Sequence, residues 1–306
     1  MTARHDLSLR QLEYLVAVAD TLGFHRAAKQ CHVSQPALSL QIQLLERVLG
    51  VTLFERDRRS VRLTEAGAQV VARARRVLTA VDDLLHEASA HLDPHARTLR
   101  IGVIPTLAPY LLPEIVPDTA RRFPRLDLRF TEAKTAEIRA QLEAGALDAG
   151  LVAREADLGE LAHAELAKDA FVVALPPAHA LAKRKTVKLA ELEGERVLLL
   201  DDGHCFRANV LDVCSRAGAI EGAFRATSLA TLTQMVALGR GITLLPAIAV
   251  PVENRRAQLA VRPLARPGAH RTIVLVWRPS SPLAELFGEL AAAWRAILAA
   301  RVKAGA

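Results

Sequence analysis

The sequence predicts an α/β protein in two parts: a small helical domain with a β-hairpin wing, then, beyond one long helix, a two-lobed α/β domain. Three observations predict it. Helical hydrophobic periodicity near the N-terminus is interrupted once by an arginine-rich turn. A single heptad seam runs from Val70 to Ala88. Beyond residue 98, strand-like and helical stretches alternate. At 306 residues the chain exceeds the size of a single core.

In chain order, Leu12, Leu15, Val16 and Ala19 recur at helical spacing and predict a first amphipathic helix from Leu9, closed by Gly23. A second short helix is expected over about His25–Cys31. A third begins at Ser34, which can cap it, and Pro36 is tolerated in its first turn because that N–H would lack a partner anyway. Two helices joined by a tight turn, the second opening with small polar residues, form a helix-turn-helix. That geometry presents Ser34, Gln35, Pro36, Ser39 and Gln43 to base edges in a major groove and turns Leu38, Ile42 and Leu45 inward. A helical hairpin without DNA stays open from this segment alone.

Leu53–Arg56 and Arg62–Thr64 read as short strands around a turn, a wing on which Arg56, Arg58, Arg59 and Arg62 suit phosphate contact. After Thr64-Glu65-Ala66-Gly67, the positions Val70, Ala74, Val77, Val81, Leu84 and Ala88 step by four and three on an otherwise polar helix. Such a seam pairs with a second copy of itself or packs on its own domain. The stretch from His91 to Thr98, with Pro94, ends the helix.

Next come strand Leu99–Ile104, helix Leu111–Phe123, strand Leu126–Thr131, helix Ala136–Ala144 and strand Leu147–Val152, the pattern of a parallel sheet covered by helices. Further strands fit Phe171–Leu175, Val197–Leu200, Gly241–Leu245 and Thr272–Trp277. A helix from Pro282 to Arg301 finishes the chain. About 200 residues of this kind suggest two lobes with a cleft between them, where strand ends hold ligands.

The formal net charge is +7 and the isoelectric point near 9.8, which suggests a polyanionic partner. The N-terminal part carries nearly as many acids as bases, so the local arginine cluster is the informative feature. No apolar run approaches the ~20 residues of a membrane helix, and the start, Met1 to Arg10, lacks a signal-peptide core, so a cytoplasmic protein with no membrane partner is expected. Three cysteines in such a chain make no disulfide framework, their spacing suits no zinc site, and no cofactor is expected.

The run Ala27-Ala28, Val33-Ser34-Gln35-Pro36-Ala37-Leu38-Ser39, Leu45-Glu46, Leu49-Gly50, Leu53-Phe54-Glu55-Arg56 and Leu63-Thr64-Glu65-Ala66-Gly67 closely resembles the LysR-type regulators. The resemblance implies a winged helix-turn-helix dimer joined by a linker helix to a periplasmic-binding-protein-like regulatory domain, commonly a homotetramer, acting on double-stranded DNA with RNA polymerase. The corresponding divisions are 1–66 for the DNA-binding domain, 67–97 for the linker helix and hinge, and 98–306 for the regulatory domain. In the last, lobe I spans 98–168 and 274–306, and lobe II spans 169–273.

Ile104-Pro105-Thr106-Leu107-Ala108-Pro109-Tyr110, Glu132-Ala133-Lys134-Thr135, Asp202-Gly203-His204-Cys205-Phe206-Arg207 with Cys214, and Gly241-Ile242-Thr243-Leu244-Leu245-Pro246 resemble the hydrogen-peroxide-sensing branch of that family. This implies Cys205 as the peroxide-reactive cysteine and Cys214 as the resolving one, with Thr106 and Thr135 near the bound peroxide and control of oxidative-stress defence genes. Members of that branch usually carry Asp three residues after the reactive cysteine, where this chain has Ala208.

The residues support that chemistry. Peroxide attack needs a thiolate, which nearby cations or a helix N-terminus favour. Cys205 follows a turn expected to open a helix, His204 and Arg207 flank it, and Arg271 is a third candidate cation. If residues 205–214 are helical, nine steps carry Cys214 ~13–14 Å along the axis and to about the opposite face, whereas a disulfide needs Cα atoms within ~7 Å. Bond formation would therefore unwind the segment, and strain would make the bond easy for thioredoxin or glutaredoxin to reduce. Cys31 is expected in the core. Two other functions compete: a regulator whose cleft takes a small organic effector, and a thiol peroxidase.

Overall fold

The computed structural model describes residues 7–56, 60–90, 95–203, 205–265 and 268–305. Its contacts fall into two units, one of residues 1–89 with 143–146, the other of 90–142 with 147–306.

The first unit opens with α1 (Leu9–Thr21), α2 (Phe24–Gln30) and α3 (Gln35–Leu49). Ser8 caps α1 in a reciprocal capping box with Gln11. Gly23 does not close α1. Leu22 takes the left-handed conformation instead (φ 45°), because Gly23 must be extended to serve as N-cap of α2. The inward faces expected for α1 and α3 form: Leu12 and Leu15 pack with Leu38, Ile42 and Leu45, which are completely buried on α3.

The hairpin β1 (Phe54–Arg56) and β2 (Val61–Leu63) is antiparallel, with Glu55 opposite Arg62. Glu46 anchors it to α3, its Oε1 accepting from the Leu53 and Phe54 N–H groups at 2.8 and 3.3 Å. Thr64 Oγ1 donates to Thr52 O and accepts from Gly67 N, both at 2.8 Å. A Cβ on Gly67 would lie 2.1 Å from Leu53 O, so the turn into α4 (Glu65–Ala90) admits only glycine there. On α4, Val71 and Ala74 join this core, while Val77, Leu84 and Leu85 are exposed.

The second unit follows the order β3 (Thr98–Val103), α5 (Ala108–Arg122), β4 (Asp127–Glu132), α6 (Thr135–Glu143), β5 (Ala149–Ala153), β6 (Ala162–Leu175), β7 (Arg196–Leu200), α7 (Cys205–Ala217), β8 (Ile220–Ala226), α8 (Leu229–Ala237), β9 (Thr243–Pro246), α9 (Val250–Ala257), β10 (Ala260–Pro263), β11 (His270–Trp277) and α10 (Ala284–Gly305). The expected β-α-β-α-β run is present and parallel across β4-β3-β5. The sheet as a whole is mixed, not parallel, because β11 returns antiparallel between β5 and β6.

The strand expected at Phe171–Leu175 is the end of a 14-residue strand. Its first part pairs with β11 in one lobe, and residues 171–175 pair with β9 and β10 in the other. Sequence reading missed that first part because polar residues alternate along its exposed face (His163, Glu165, Lys168). The second lobe is completed by the parallel pair β7-β8, with β7 bridged to Ile242. Apolar residues of both lobes form one continuous core, so the regulatory unit is the two-lobed, periplasmic-binding-protein-like fold. Among the described residues, no helix is long and apolar enough to cross a membrane.

Candidate nucleic-acid interface and thiol site

Ser34 is the N-cap of α3, its Oγ accepting from the Ala37 N–H at 3.4 Å, and Pro36 lies in the first turn. Gln35, Pro36 and Gln43 are exposed and Ser39 is half-buried. Gln35, Pro36 and Gln43 thus lie on the surface of the unit while the apolar face of α3 holds the core. Gln41 is outside that set: its Oε1 accepts from Gln11 Nε2 at 3.1 Å and ties α3 to α1. Arg62 is exposed on β2 and Arg56 lies on β1. Arg58 and Arg59, expected at the wing tip, lie outside the described residues, as does His204.

Cys205 is the first residue of α7 and Cys214 lies on the same unbroken helix. Both are free thiols, Cys205 half-buried and Cys214 buried. On a continuous helix nine steps span ~13–14 Å of axis, so the wound helix excludes a bond between them. Burial, and then the charge of Glu221, push the Cys214 thiol up to about 11, which keeps it protonated. Cys31 is half-buried against the N-terminal core, and its thiol is raised by burial and then by Glu13.

The side chain after Cys205 connects the helix to a buried polar centre. Phe206 packs edge-on against Phe171 with centroids 5.2 Å apart, and the Arg271 guanidinium lies 5.7 Å from the Phe206 ring centroid. Arg271 has no exposed surface. Its Nε donates to Asp169 Oδ2 at 3.0 Å, its Nη1 to Thr106 Oγ1 at 2.7 Å and its Nη2 to Thr106 O at 3.0 Å. Asp169, 1% exposed, also accepts from the Ile248 N–H at 3.1 Å. Thr106 and Arg271, proposed from sequence, are thus brought together, and Asp169 is the partner that sequence reading missed. Its signal was weak: one acid in the alternating run of β6.

Thr135 starts α6, and its Oγ1 is buried with no hydrogen-bond partner among the described residues. The preceding Lys134 donates from Nζ to Asp202 O at 2.7 Å, across the loop that leads to Cys205. Gly203 has φ +87° and would place a Cβ 3.0 Å from the Lys134 stem, so glycine lets the two segments approach. Arg207 differs from expectation. It is engaged by carboxylates, with Nε 2.9 Å from Asp202 Oδ1 and Nη2 3.0 Å from Glu221 Oε1.

The comparisons cover both units of the chain. Residues 9–68 match the model of the bacterial regulatory helix-turn-helix protein, lysR family, and residues 93–300 match the LysR substrate binding domain. The chain is 46% identical over 291 residues to the "DNA-binding transcriptional dual regulator OxyR" of Escherichia coli K12, covering 95% of each. Among solved structures it is similar to a full-length OxyR variant from Pseudomonas aeruginosa (TM-score 0.79, 34% identity, 95% of this chain and 96% of that one). It is also similar to a peroxide-bound OxyR variant from Corynebacterium glutamicum (TM-score 0.68, 33% identity, 97% and 94%). This chain therefore belongs to the LysR family of bacterial helix-turn-helix regulators and, within it, to the OxyR group.

Proposed function

We propose that this protein is a cytoplasmic, hydrogen-peroxide-sensing transcription regulator that switches through a reversible Cys205–Cys214 disulfide. The observation that carries the reading is α7 itself. One half-buried thiol at the start of a helix and one core thiol share that helix, which their bond must unwind and which rests through Phe206 on Arg271. The Cys205 thiolate attacks one peroxide oxygen and breaks the O–O bond, and the departing hydroxide takes a proton and leaves as water. Cys205 becomes a sulfenic acid. The Cys214 sulfur then displaces its hydroxyl, forming the disulfide and a second water. Thr106, oriented by Arg271, and the unpartnered Thr135 hydroxyl are the groups suited to hold peroxide. A dithiol such as thioredoxin or glutaredoxin resets the bond.

Double-stranded DNA is the output. Gln35, Ser39 and Gln43 on the polar face of α3, with Ser34 and Pro36 at its start, supply base contacts, and Arg56, Arg58, Arg59 and Arg62 supply phosphate contacts. The exposed Val77 and Leu84 on α4 support a homodimer through the linker helix, with dimers pairing into a tetramer and RNA polymerase as the downstream partner. An organic effector in the cleft would leave the two thiols of α7 without use. A thiol peroxidase would leave the helix-turn-helix without use.

The test is stopped-flow oxidation by sub-equivalent hydrogen peroxide, with mass mapping of the disulfide and operator binding measured on both forms. Fast bond formation with altered binding is expected. Sluggish oxidation with unchanged binding would refute the reading.

A further inference from the structure

Four side chains around α7 close a ring of ion pairs that the peroxide chemistry does not use. Asp202, in the loop before Cys205, pairs through Oδ1 with Arg207 Nε at 2.9 Å and through Oδ2 with Arg225 Nη1 at 3.1 Å. Glu221 Oε1 lies 3.0 Å from Arg207 Nη2 and 3.2 Å from Arg225 Nη2. Arg207 also points Nη1 at Leu200 O, 3.4 Å away at the end of β7. The ring therefore ties the loop, the first turn of α7 and strand β8 to one another. Unwinding α7 around Arg207 must open it, and so must any path that brings Cys214 out of the core to Cys205.

We propose that Asp202, Arg207, Glu221 and Arg225 form a clasp that controls the resolving step: the four are positioning residues that keep α7 wound, so that the Cys205 sulfenic acid persists until the ring opens. The inference rests on the peroxide-switch reading. It assigns Arg207 to timing the disulfide instead of activating the thiol. Members of the clasp range from Arg207, 10% exposed, to Asp202, 71% exposed, so salt should loosen it.

The chemical balance is that of the proposed switch. Hydrogen peroxide oxidises Cys205 to the sulfenic acid with loss of one water. The Cys214 thiol then condenses with it, losing the second, and the clasp acts only on the rate of that second step.

The test is rapid-quench mass spectrometry on the full chain, with dimedone trapping to separate sulfenic acid from disulfide. Glu221→Gln and Arg225→Met each open the ring, from opposite charges. Both should leave sulfenic acid formation within about twofold and speed disulfide formation roughly three- to tenfold, as loss of two partly exposed ion pairs allows. Glu221→Asp should restore the slow step. Raising sodium chloride should speed the wild type and change the open-ring variants little. If Glu221→Gln speeds the bond while Arg225→Met slows it, the effect is the charge beside Cys214 and the clasp is overturned, as it is if neither variant changes the rate. Hydrogen exchange of the α7 amides in the reduced protein separates the two readings. Faster exchange in both variants is expected even if peroxide forms no disulfide, an outcome that would refute the peroxide switch alone, and unchanged exchange overturns the clasp.

Discussion

Arg271→Met tests the buried centre beneath α7. Arg271 is 0% and Asp169 1% exposed, so the substitution leaves a carboxylate in the core without its guanidinium, still accepting from the Ile248 N–H. Removing one partner of a fully buried pair typically costs about 3–5 kcal/mol, because the orphaned charge keeps its desolvation penalty. For a domain of roughly 200 residues that corresponds to a fall in Tm of about 6–20 °C. Replacing both partners, Arg271→Met with Asp169→Leu, removes the orphan and should recover most of the loss, giving a coupling energy above about 2 kcal/mol in a double-mutant cycle. The assay is urea unfolding of the reduced full chain followed by tryptophan fluorescence. The two tryptophans, Trp277 and Trp294, are both buried in the regulatory unit, so the signal reports that unit alone. A loss below about 1 kcal/mol in the single variant, or a double variant no more stable than the single, would refute the reasoning.

Three further outcomes are expected. Cys214 is an acid whose folded pKa is raised from 9.0 to about 11, so it contributes stability that is complete below pH 9 and lost as pH rises towards 11. The loss should be of the order of 2–3 kcal/mol in pH-dependent unfolding and absent in Cys214→Ala. Arg62→Ala should weaken binding to all DNA sequences alike and reduce the salt slope by about 1, whereas Gln35→Ala should change base preference, both read by fluorescence anisotropy across salt and operator variants. Leu84→Lys, at a residue 66% exposed in the single chain, should leave Tm of the regulatory unit unchanged and shift sedimentation velocity towards monomer; an unaltered sedimentation profile would refute the proposed dimer contact through α4.

The N-terminal unit was legible because its signals are local. Ser34 as a cap, Pro36 in the first turn and Leu38, Ile42 and Leu45 at helical spacing need no distant partner to be read. Gly23 misled because glycine signals either a helix end or an extended cap, and only the short link to α2 decides which. The parallel β3-β4-β5 run was equally plain, whereas the long β6 and the antiparallel return of β11 depend on pairing across about a hundred residues. The thiols were found by motif. Their surroundings were not: Asp169 and Glu221 are ordinary acids in the sequence and acquire roles only when β6 meets β11 and β8 meets α7. Arg207 shows the converse, a cation beside the thiol in sequence whose guanidinium is bound elsewhere in space.

The reducibility of the proposed disulfide follows from what the wound helix buries. Phe206 is 1% exposed between Phe171 and Arg271, and Val210 and Val213 are each 1% exposed on the inner face of α7. Exposing one such side chain costs about 1.5–3 kcal/mol. For a two-electron couple, 1.4 kcal/mol is about 30 mV, so losing the Phe206 contact alone would make the bond more oxidising by roughly 30–65 mV. A switch that must be reset by cellular dithiols needs that penalty on its oxidised side. Phe206→Ala removes it from the reduced state as well, and should therefore give a disulfide that forms readily but resists reduction, measured as a lower midpoint against a dithiothreitol redox buffer. An unchanged midpoint would mean that Phe206 stays packed when the cysteines join, and that the helix opens only beyond it.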